Sequence, residues 1–274
     1  MKKALMIGIK YPNQVPSEQV ISSYNNIDTV RDKLVTLKGF DHKNITILKD
    51  DGETDPPTQK NIEMYVDSAV TAAMSTGDKL LIYFSAHGRH DKEGELGILA
   101  SDLQVVPGRF FRNLLNPARE KTRVTMICEV CESSAFFPKD YFGSRPFGTM
   151  VDSAKESLQL FIGTKPIAKG LVFFSASREL SGVERSLPKE EREKLLAVQK
   201  CASKGVEVTC PLGVFTAELV NCLVEADKEG RRITNRELIN SIQCQIELNK
   251  GVNSSKQIAG MEGDDCLEDF YFSD

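Results

Sequence analysis

Apolar residues occur along much of the chain in short continuous runs, separated by stretches in which they recur at helical spacing. Runs of strand length occupy residues 3–9, 79–85, 123–128 and 170–176, and residues 44–48 alternate like a strand. Continuous apolar runs are typical of strands buried on both faces of a parallel sheet. We therefore predict a mostly parallel central sheet.

The stretches between and after these strands predict helices. The first two cover residues 26–38, ended by Gly39, and residues 59–74, between Thr58 and Gly77. Because parallel strands are joined by right-handed crossovers, we expect helices on both faces of the sheet. Further along, the sequence predicts a charged helix at 189–200, helices at 211–225 and 235–248 (the latter opened by a Thr234–Glu237 capping box), a strand at 270–272, and exposed loops at 140–169 and 186–210.

Composition and charge narrow the class of protein. The chain has 274 residues, of which 41% are hydrophobic, and this suits one large α/β domain. The balance of 35 Lys and Arg against 39 Asp and Glu argues against a nucleic-acid-binding protein, which would need a basic face. No apolar run approaches the roughly 20 residues needed to span a membrane. An odd count of 7 Cys, with no export signal after Met1, predicts reduced thiols and a cytoplasmic protein.

Reactive side chains follow two of the predicted strands. His87 and Gly88 come after the strand at 79–85, and Glu129 and Cys131 come after the strand that begins at Arg123. If these strands are neighbours, His87 and Cys131 face each other at one edge of the sheet. An imidazole can take the proton of a thiol and later protonate a leaving amine. The N–H groups of Gly88 and Cys131 can form an oxyanion hole.

Other interpretations of the same cysteines stay open. A Cys at the end of a strand is usually a small buried hydrophobic residue. The spacing Cys128-x-x-Cys131 also matches a redox motif or half of a zinc site. No second Cys pair and no His at ligand spacing supports zinc, so we predict no metal site. A thioredoxin-type motif should open a helix, whereas Cys128 ends a predicted strand.

Several motifs occur in the order found in a known family. Residues 2–9 (KKALMIGI) resemble a first strand KALLIGI, and residues 83–88 (YFSAHG) resemble a YFSGHG box. Three further segments resemble a D-x-C-H-S-G box (127–134), an SAC-(K/R)-D segment (174–179) and a G-x-F-T helix (213–216). The ordered set resembles the caspase-like cysteine peptidases, above all prodomain-less, type I-like metacaspases.

The resemblance implies a caspase-like three-layer α/β/α sandwich in one domain, 1–274. Its p20-like region would cover about 1–145, a linker about 140–169, and a p10-like region about 170–274. It implies hydrolysis of peptide bonds after Arg or Lys through an acyl-enzyme on Cys131, with His87 as base and then acid. Glu129 and Glu184 would bind the basic side chain of the substrate. Candidate self-cleavage positions are Arg145, Lys155 and Lys169, and we expect a monomer.

The sequence also departs from the family pattern. Ala86, Glu132 and Ser134 replace a Gly, a His and a Gly of the two boxes. A carboxylate beside Cys131 disfavours the thiolate, so an inactive pseudo-peptidase with a regulatory role is an alternative. Calcium-dependent members of the family carry a dense acidic run after the YFSGHG box. The corresponding acidic run here is only residues 91–95. Since calcium needs about six to eight oxygen ligands, we expect its site to be weakened or lost and no cofactor to be required, with activation by calcium kept as an alternative.

Overall fold

The protein is described by a computed structural model covering residues 1–118, 120–130, 136–137, 170–176, 212–248 and 260–263. The strands are β1 (Lys2–Gly8), β2 (Ile45–Lys49), β3 (Lys79–Ser85), β4 (Gly88–His90), β5 (Leu96–Leu99), β6 (Val105–Pro107), β7 (Arg123–Glu129), β8 (Gly170–Ser175) and β9 (Gly260–Gly263). The helices are α1 (Ser23–Lys38), α2 (Gln59–Thr76), α3 (Gly108–Ala118), α4 (Val214–Lys228) and α5 (Asn235–Leu248). Single 3-10 turns lie at Pro16–Glu18 and His42–Asn44.

The main sheet has the strand order β2-β1-β3-β7-β8-β9. Its first five strands are parallel, and β9 pairs antiparallel with β8. The mostly parallel sheet predicted from the apolar runs is therefore confirmed. A small antiparallel sheet, β4-β5-β6, was not predicted, and neither were β9 and α3.

Helices cover both faces of the main sheet and enclose a separate apolar core on each. One core joins the sheet to α2 and α3, through residues such as Val66 and Phe111. The other joins it to α1, α4 and α5, through residues such as Ile27 and Phe215. Successive residues of a strand point to opposite faces. The fold is accordingly the predicted three-layer α/β/α sandwich.

Local sequence accounts for the ends of the helices. The Thr58 side chain accepts a hydrogen bond from the Asn61 N–H at the start of α2, and Gly77 ends that helix at φ 68°. Thr234 and Glu237 form the predicted reciprocal capping box at the start of α5. The helix predicted at 26–38 begins earlier, at Ser23, and that predicted at 211–225 is displaced to Val214–Lys228.

Some predicted features lie outside the described residues: the helix at 189–200, the strand at 270–272 and the loops at 140–169 and 186–210. The division into p20-like and p10-like regions stays a prediction. Within the described ranges, no helix combines the length and apolar character needed to cross a membrane.

Candidate active site

The two strands that carry the predicted chemistry are neighbours. Strand β3 pairs in parallel with β7, and Ser85 lies opposite Glu129. His87 follows Ser85 by two residues, and Glu129 is the last residue of β7. Both side chains therefore belong to the carboxyl edge of the sheet, where parallel α/β folds place their sites.

The His87 imidazole is almost fully buried and is fixed by a backbone carbonyl. Its Nε2 atom lies 2.9 Å from the carbonyl oxygen of Glu18, and 8% of the residue is exposed. Because a carbonyl oxygen can only accept, this contact requires a proton on Nε2. In the neutral ring, Nδ1 then carries the lone pair that can accept a proton.

The carbonyl of Glu18 is presented by the loop between β1 and α1. The Gln19 side chain crosses this loop, where its Nε2 donates to the carbonyls of Gln14 (2.8 Å) and Pro12 (3.3 Å). The Val20 N–H closes the loop on the carbonyl of Lys10 at 3.2 Å. These bonds hold the loop in the shape that brings Glu18 to the imidazole.

Gly88 begins the small antiparallel sheet immediately after His87. The Leu99 N–H donates to the His87 carbonyl at 2.9 Å, and Gly88 lies opposite Ile98. In an antiparallel ladder this arrangement makes Gly88 and Ile98 a pair that is not hydrogen-bonded. The Gly88 N–H thus points away from β5, as an oxyanion donor must.

The Glu129 carboxylate is half-buried and held by neutral donors. Its Oε2 accepts from Asn26 Nδ2 at 3.0 Å, from the Tyr83 hydroxyl at 3.1 Å, and from the Thr216 hydroxyl. Burial, and next the charge of Glu129, raise the pKa of Tyr83 well above its ordinary value. The phenol therefore keeps its proton and contacts the carboxylate as a donor, and none of these three groups carries a charge.

Asn26 connects this carboxylate to distant parts of the chain. Its Nδ2 also donates to the Ser85 hydroxyl at 3.0 Å, and its Oδ1 accepts from the Gly213 N–H at 2.9 Å. Gly213 packs so closely that an added Cβ would lie 1.8 Å from Glu129 Oε1. Any side chain at position 213 would therefore force the carboxylate to shift from its place.

Cys128, the first cysteine of the C-x-x-C spacing, lies fully buried in the core beneath α2 and α3. Burial raises the pKa of its thiol well above the ordinary value. Because thiol–disulfide exchange needs an accessible thiolate, this environment disfavours the redox interpretation. It suits a small buried hydrophobic residue.

The acidic loop at residues 91–95 faces two arginines of α3. Arg109 Nη1 lies 2.8 Å from Asp91, 3.1 Å from Glu93 and 2.8 Å from Glu95. Arg112 contacts Glu95 at 2.6 Å and donates to the Phe136 carbonyl at 2.7 Å. Burial acts to raise the pKa of Glu95, but bonds from Arg109 and Arg112 outweigh it and hold the pKa below its ordinary value.

This arrangement does not fit a calcium site, because guanidinium groups already engage the three carboxylates. Across the part of the chain that is described, no group of three or more His, Cys, Asp or Glu residues is arranged to hold a metal ion.

Several predicted residues lie outside the described ranges: Cys131, Glu132, Ser134, Glu184, Arg145, Lys155 and Lys169. The meeting of His87 and Cys131 therefore stays a prediction. Sequence reasoning did not assign roles to Tyr11, which contacts His87, or to Asn26 and Thr216, which contact Glu129. The G-x-F-T motif could have indicated Thr216, since it is part of that motif.

Comparison with known sequences decides the family. The model for the metacaspase, peptidase C14 domain matches residues 2–139, just over half of the chain. The chain belongs to the metacaspase family. This metacaspase is 31% identical over 175 residues to metacaspase-7 of Arabidopsis thaliana, covering 60% of this chain and 39% of that protein. It is 35% identical over 156 residues to metacaspase III c of Phaeodactylum tricornutum, covering 51% and 45%. These matches span less than half of the relatives' own length.

Solved structures agree with this assignment at the level of the fold. Caspase-1 from Spodoptera frugiperda matches with a TM-score of 0.53 at 11% identity, covering 95% of this metacaspase and 85% of that chain. The structure of pro-sf-caspase-1 matches with a TM-score of 0.54 at 13% identity, covering 98% and 94%. The predicted caspase-like fold and the family resemblance are both confirmed.

Proposed function

We propose that this metacaspase is a cysteine endopeptidase that hydrolyses peptide bonds after Arg or Lys through an acyl-enzyme on Cys131. The family is one of cysteine peptidases with protein substrates. The main observation in support is that His87 and Glu129 lie at the carboxyl ends of adjacent parallel strands, His87 anchored through Nε2 and Glu129 held by neutral donors. Cys131 follows Glu129, the last residue of β7, by two positions in the sequence.

His87 would act first as base and then as acid. With Nε2 donating to Glu18, Nδ1 is the nitrogen that accepts the proton of the Cys131 thiol. The thiolate attacks the scissile carbonyl carbon, and the protonated imidazole gives its proton to the leaving amine. Water then hydrolyses the thioester, with His87 again taking the proton. The negative oxygen formed in each half would be held by the N–H groups of Gly88 and Cys131.

Glu129 would select the substrate by charge. A carboxylate fixed in a half-buried position complements a guanidinium or ammonium group and disfavours acidic side chains. Glu184, which follows the segment 174–179 in the sequence, is proposed as the second carboxylate on the basis of the resemblance alone.

The activity is expected to require no calcium. Asp91, Glu93 and Glu95 already contact Arg109, and Arg112 adds a second cation at Glu95. Binding calcium there would require breaking these ion pairs. Purified protein should therefore cleave equally well in a chelator and in added calcium.

A fluorogenic peptide ending in Arg or Lys tests the proposal, with the same peptide ending in Gln as control. We expect turnover of the two basic peptides, which Cys131→Ala abolishes. A folded protein that turns over neither peptide, and whose Cys131 is not labelled by a basic-residue activated ketone, would instead be the pseudo-peptidase. Gel filtration with light scattering checks the expected monomer.

Self-processing is a separate part of the proposal. Cuts after Arg145, Lys155 or Lys169 should appear in intact-mass spectra of the wild-type protein and be missing from Cys131→Ala. Cuts that persist in Cys131→Ala would assign them to another protease.

A further inference from the structure

The hydroxyl of Tyr11 is inserted into the hydrogen-bond ladder next to His87. A regular antiparallel ladder would join the His87 N–H directly to the Leu99 carbonyl, reciprocating the bond from the Leu99 N–H to the His87 carbonyl. Here the His87 N–H donates to the Tyr11 hydroxyl at 3.0 Å, and that hydroxyl donates to the Leu99 carbonyl at 2.6 Å. The phenol oxygen thus sets the separation between the backbone of His87 and β5.

The same tyrosine also contacts the imidazole. The Tyr11 and His87 rings stack with their centroids 5.0 Å apart and their planes inclined by 22°. Tyr11 is 3% exposed, so both rings are shielded from water on this side. One side chain therefore contacts the backbone and the ring of His87, while Glu18 fixes the ring at Nε2.

Tyr11 is held in an unusual conformation for this purpose. Its φ is 57°, in the left-handed region that non-glycine residues rarely adopt. The carboxylate of Asp50 accepts from the N–H groups of Lys10 and Tyr11, each at 2.8 Å. The Tyr24 hydroxyl donates to the same carboxylate at 2.8 Å. Strain at one residue persists where its surroundings over-determine it, and such residues cluster at functional sites.

We propose that Tyr11 is a positioning residue that sets the place and orientation of His87, with Asp50 holding Tyr11 in turn. The inference rests on the proposed peptidase function. Without the hydroxyl, the bridge between the His87 N–H and the Leu99 carbonyl is lost. The two groups then either remain apart or move together to form a direct hydrogen bond. Either result displaces the imidazole from the carbonyl of Glu18 and from the incoming thiol.

Tyr11→Phe tests this directly, because it removes the hydroxyl and keeps the stacked ring. We expect kcat on the Arg peptide to fall by roughly 10- to 100-fold while KM changes little, since misplacement of a catalytic group by a fraction of an ångström acts on the chemical step. Tyr65→Phe is the matched control. The Tyr65 hydroxyl lies on α2 and donates to Asp55 in an exposed position, without contact to His87. This variant should leave kcat unchanged.

A spectroscopic measurement separates this inference from the peptidase proposal. The chain has 3 His, so the ring nitrogens of His87 can be assigned in a 1H–15N spectrum by comparison with His87→Gln. The wild-type protein should show the Nε2–H tautomer, and Tyr11→Phe should show a mixture of tautomers. This result holds even if the protein cleaves nothing, in which case only the proposed function fails.

A folded Tyr11→Phe protein with wild-type kcat and an unchanged His87 spectrum would overturn the inference. If Tyr11→Phe does not fold, Asp50→Asn replaces it, because it weakens the bonds to the N–H groups of Lys10 and Tyr11 and keeps the phenol. A smaller fall in kcat with the same change in the His87 spectrum supports the inference. Wild-type values for both overturn it.

Discussion

His87 and Glu129 lie at the same edge of the sheet but are held by different means. On the His87 side, a backbone carbonyl fixes one ring nitrogen, and Tyr11 stacks on the ring and fixes the backbone. On the Glu129 side, an amide and two hydroxyls converge on one carboxylate oxygen. In the proposed mechanism the imidazole gains and loses a proton, and its contact with Glu18 defines which nitrogen carries the proton. In the proposed function the Glu129 carboxylate attracts a basic side chain, and the three donors named here are neutral groups that orient it.

The two sides also come from different parts of the fold. The residues around His87 come from the loop after β1 and from β5, which are close to it in the first half of the chain. Those around Glu129 come from α1, β3 and α4, and Thr216 is 87 residues away along the chain. Damage to the His87 side should therefore affect catalysis, and damage to the Glu129 side should affect substrate choice.

The largest effect is expected from His87→Asn. Removing the proton acceptor should lower kcat on the Arg peptide by about 10²- to 10⁴-fold, with KM nearly unchanged. Stopped-assay kinetics at high enzyme concentration check this. A comparable rise in KM would contradict the division between the two sides.

Glu129→Gln should act on substrate binding, not on the chemical step, and should lower kcat/KM for basic peptides by about 10²-fold. It keeps the shape and the accepting oxygen but removes the charge, and a hydrogen bond to a charged group contributes about 1.5–3 kcal/mol. We expect kcat/KM to fall for peptides ending in Arg or Lys, and any background cleavage of the control peptide ending in Gln to be unchanged. An equal loss on all three peptides would mean that Glu129 is structural.

Thr216→Val should have a smaller effect of the same kind. It removes one of the donors to Glu129 while keeping the volume, so we expect KM for basic peptides to rise about 10-fold and stability to fall by about 1 kcal/mol. Thr36→Val is the matched control, because the Thr36 hydroxyl bonds to the Asp32 carbonyl on the exposed face of α1. If both variants have the same KM for basic peptides, the Thr216 hydroxyl does not orient Glu129.

The smallest effect is expected on the pH dependence of thermal stability, from the Glu95–Arg112 ion pair, which contacts neither His87 nor Glu129. The pKa of Glu95 is held below its ordinary value, so this pairing stabilises the fold above the unfolded pKa of about 4.3 and is lost as pH falls through the lower folded pKa. Arg112→Gln should lower the melting temperature at pH 7, and the difference from wild type should shrink towards pH 3. Thermal unfolding at the two pH values measures it, and a constant difference would assign the loss to the Phe136 contact instead.

The sequence predicted the strands better than it predicted the residues that hold His87 and Glu129 in place. Strand β3 and helix α5 were placed at their observed bounds, because a buried apolar run and a capping box are local signals. His87 and Gly88 were predicted as site residues because parallel strands place function at their carboxyl ends, and the role of Glu129 was predicted from the family resemblance. The small sheet was missed because β4 has only 3 residues and two of them are exposed.

The role of Tyr11 could not be deduced from sequence for a different reason. It depends on how β4 and β5 align and on a left-handed backbone, neither of which follows from residue type. Asn26 likewise meets Gly213 across 187 positions. Such contacts depend on the completed fold.

The parallel pairing of β7 with β8 bears on what happens if the chain is severed between them. Six residue pairs, from Arg123–Gly170 to Cys128–Ser175, join these strands, and the bond from Gly213 to Asn26 crosses the same break. Two fragments separated anywhere between residues 138 and 169 would stay associated as one particle. The two pieces, made independently and mixed, are expected to reassemble by completing a shared sheet.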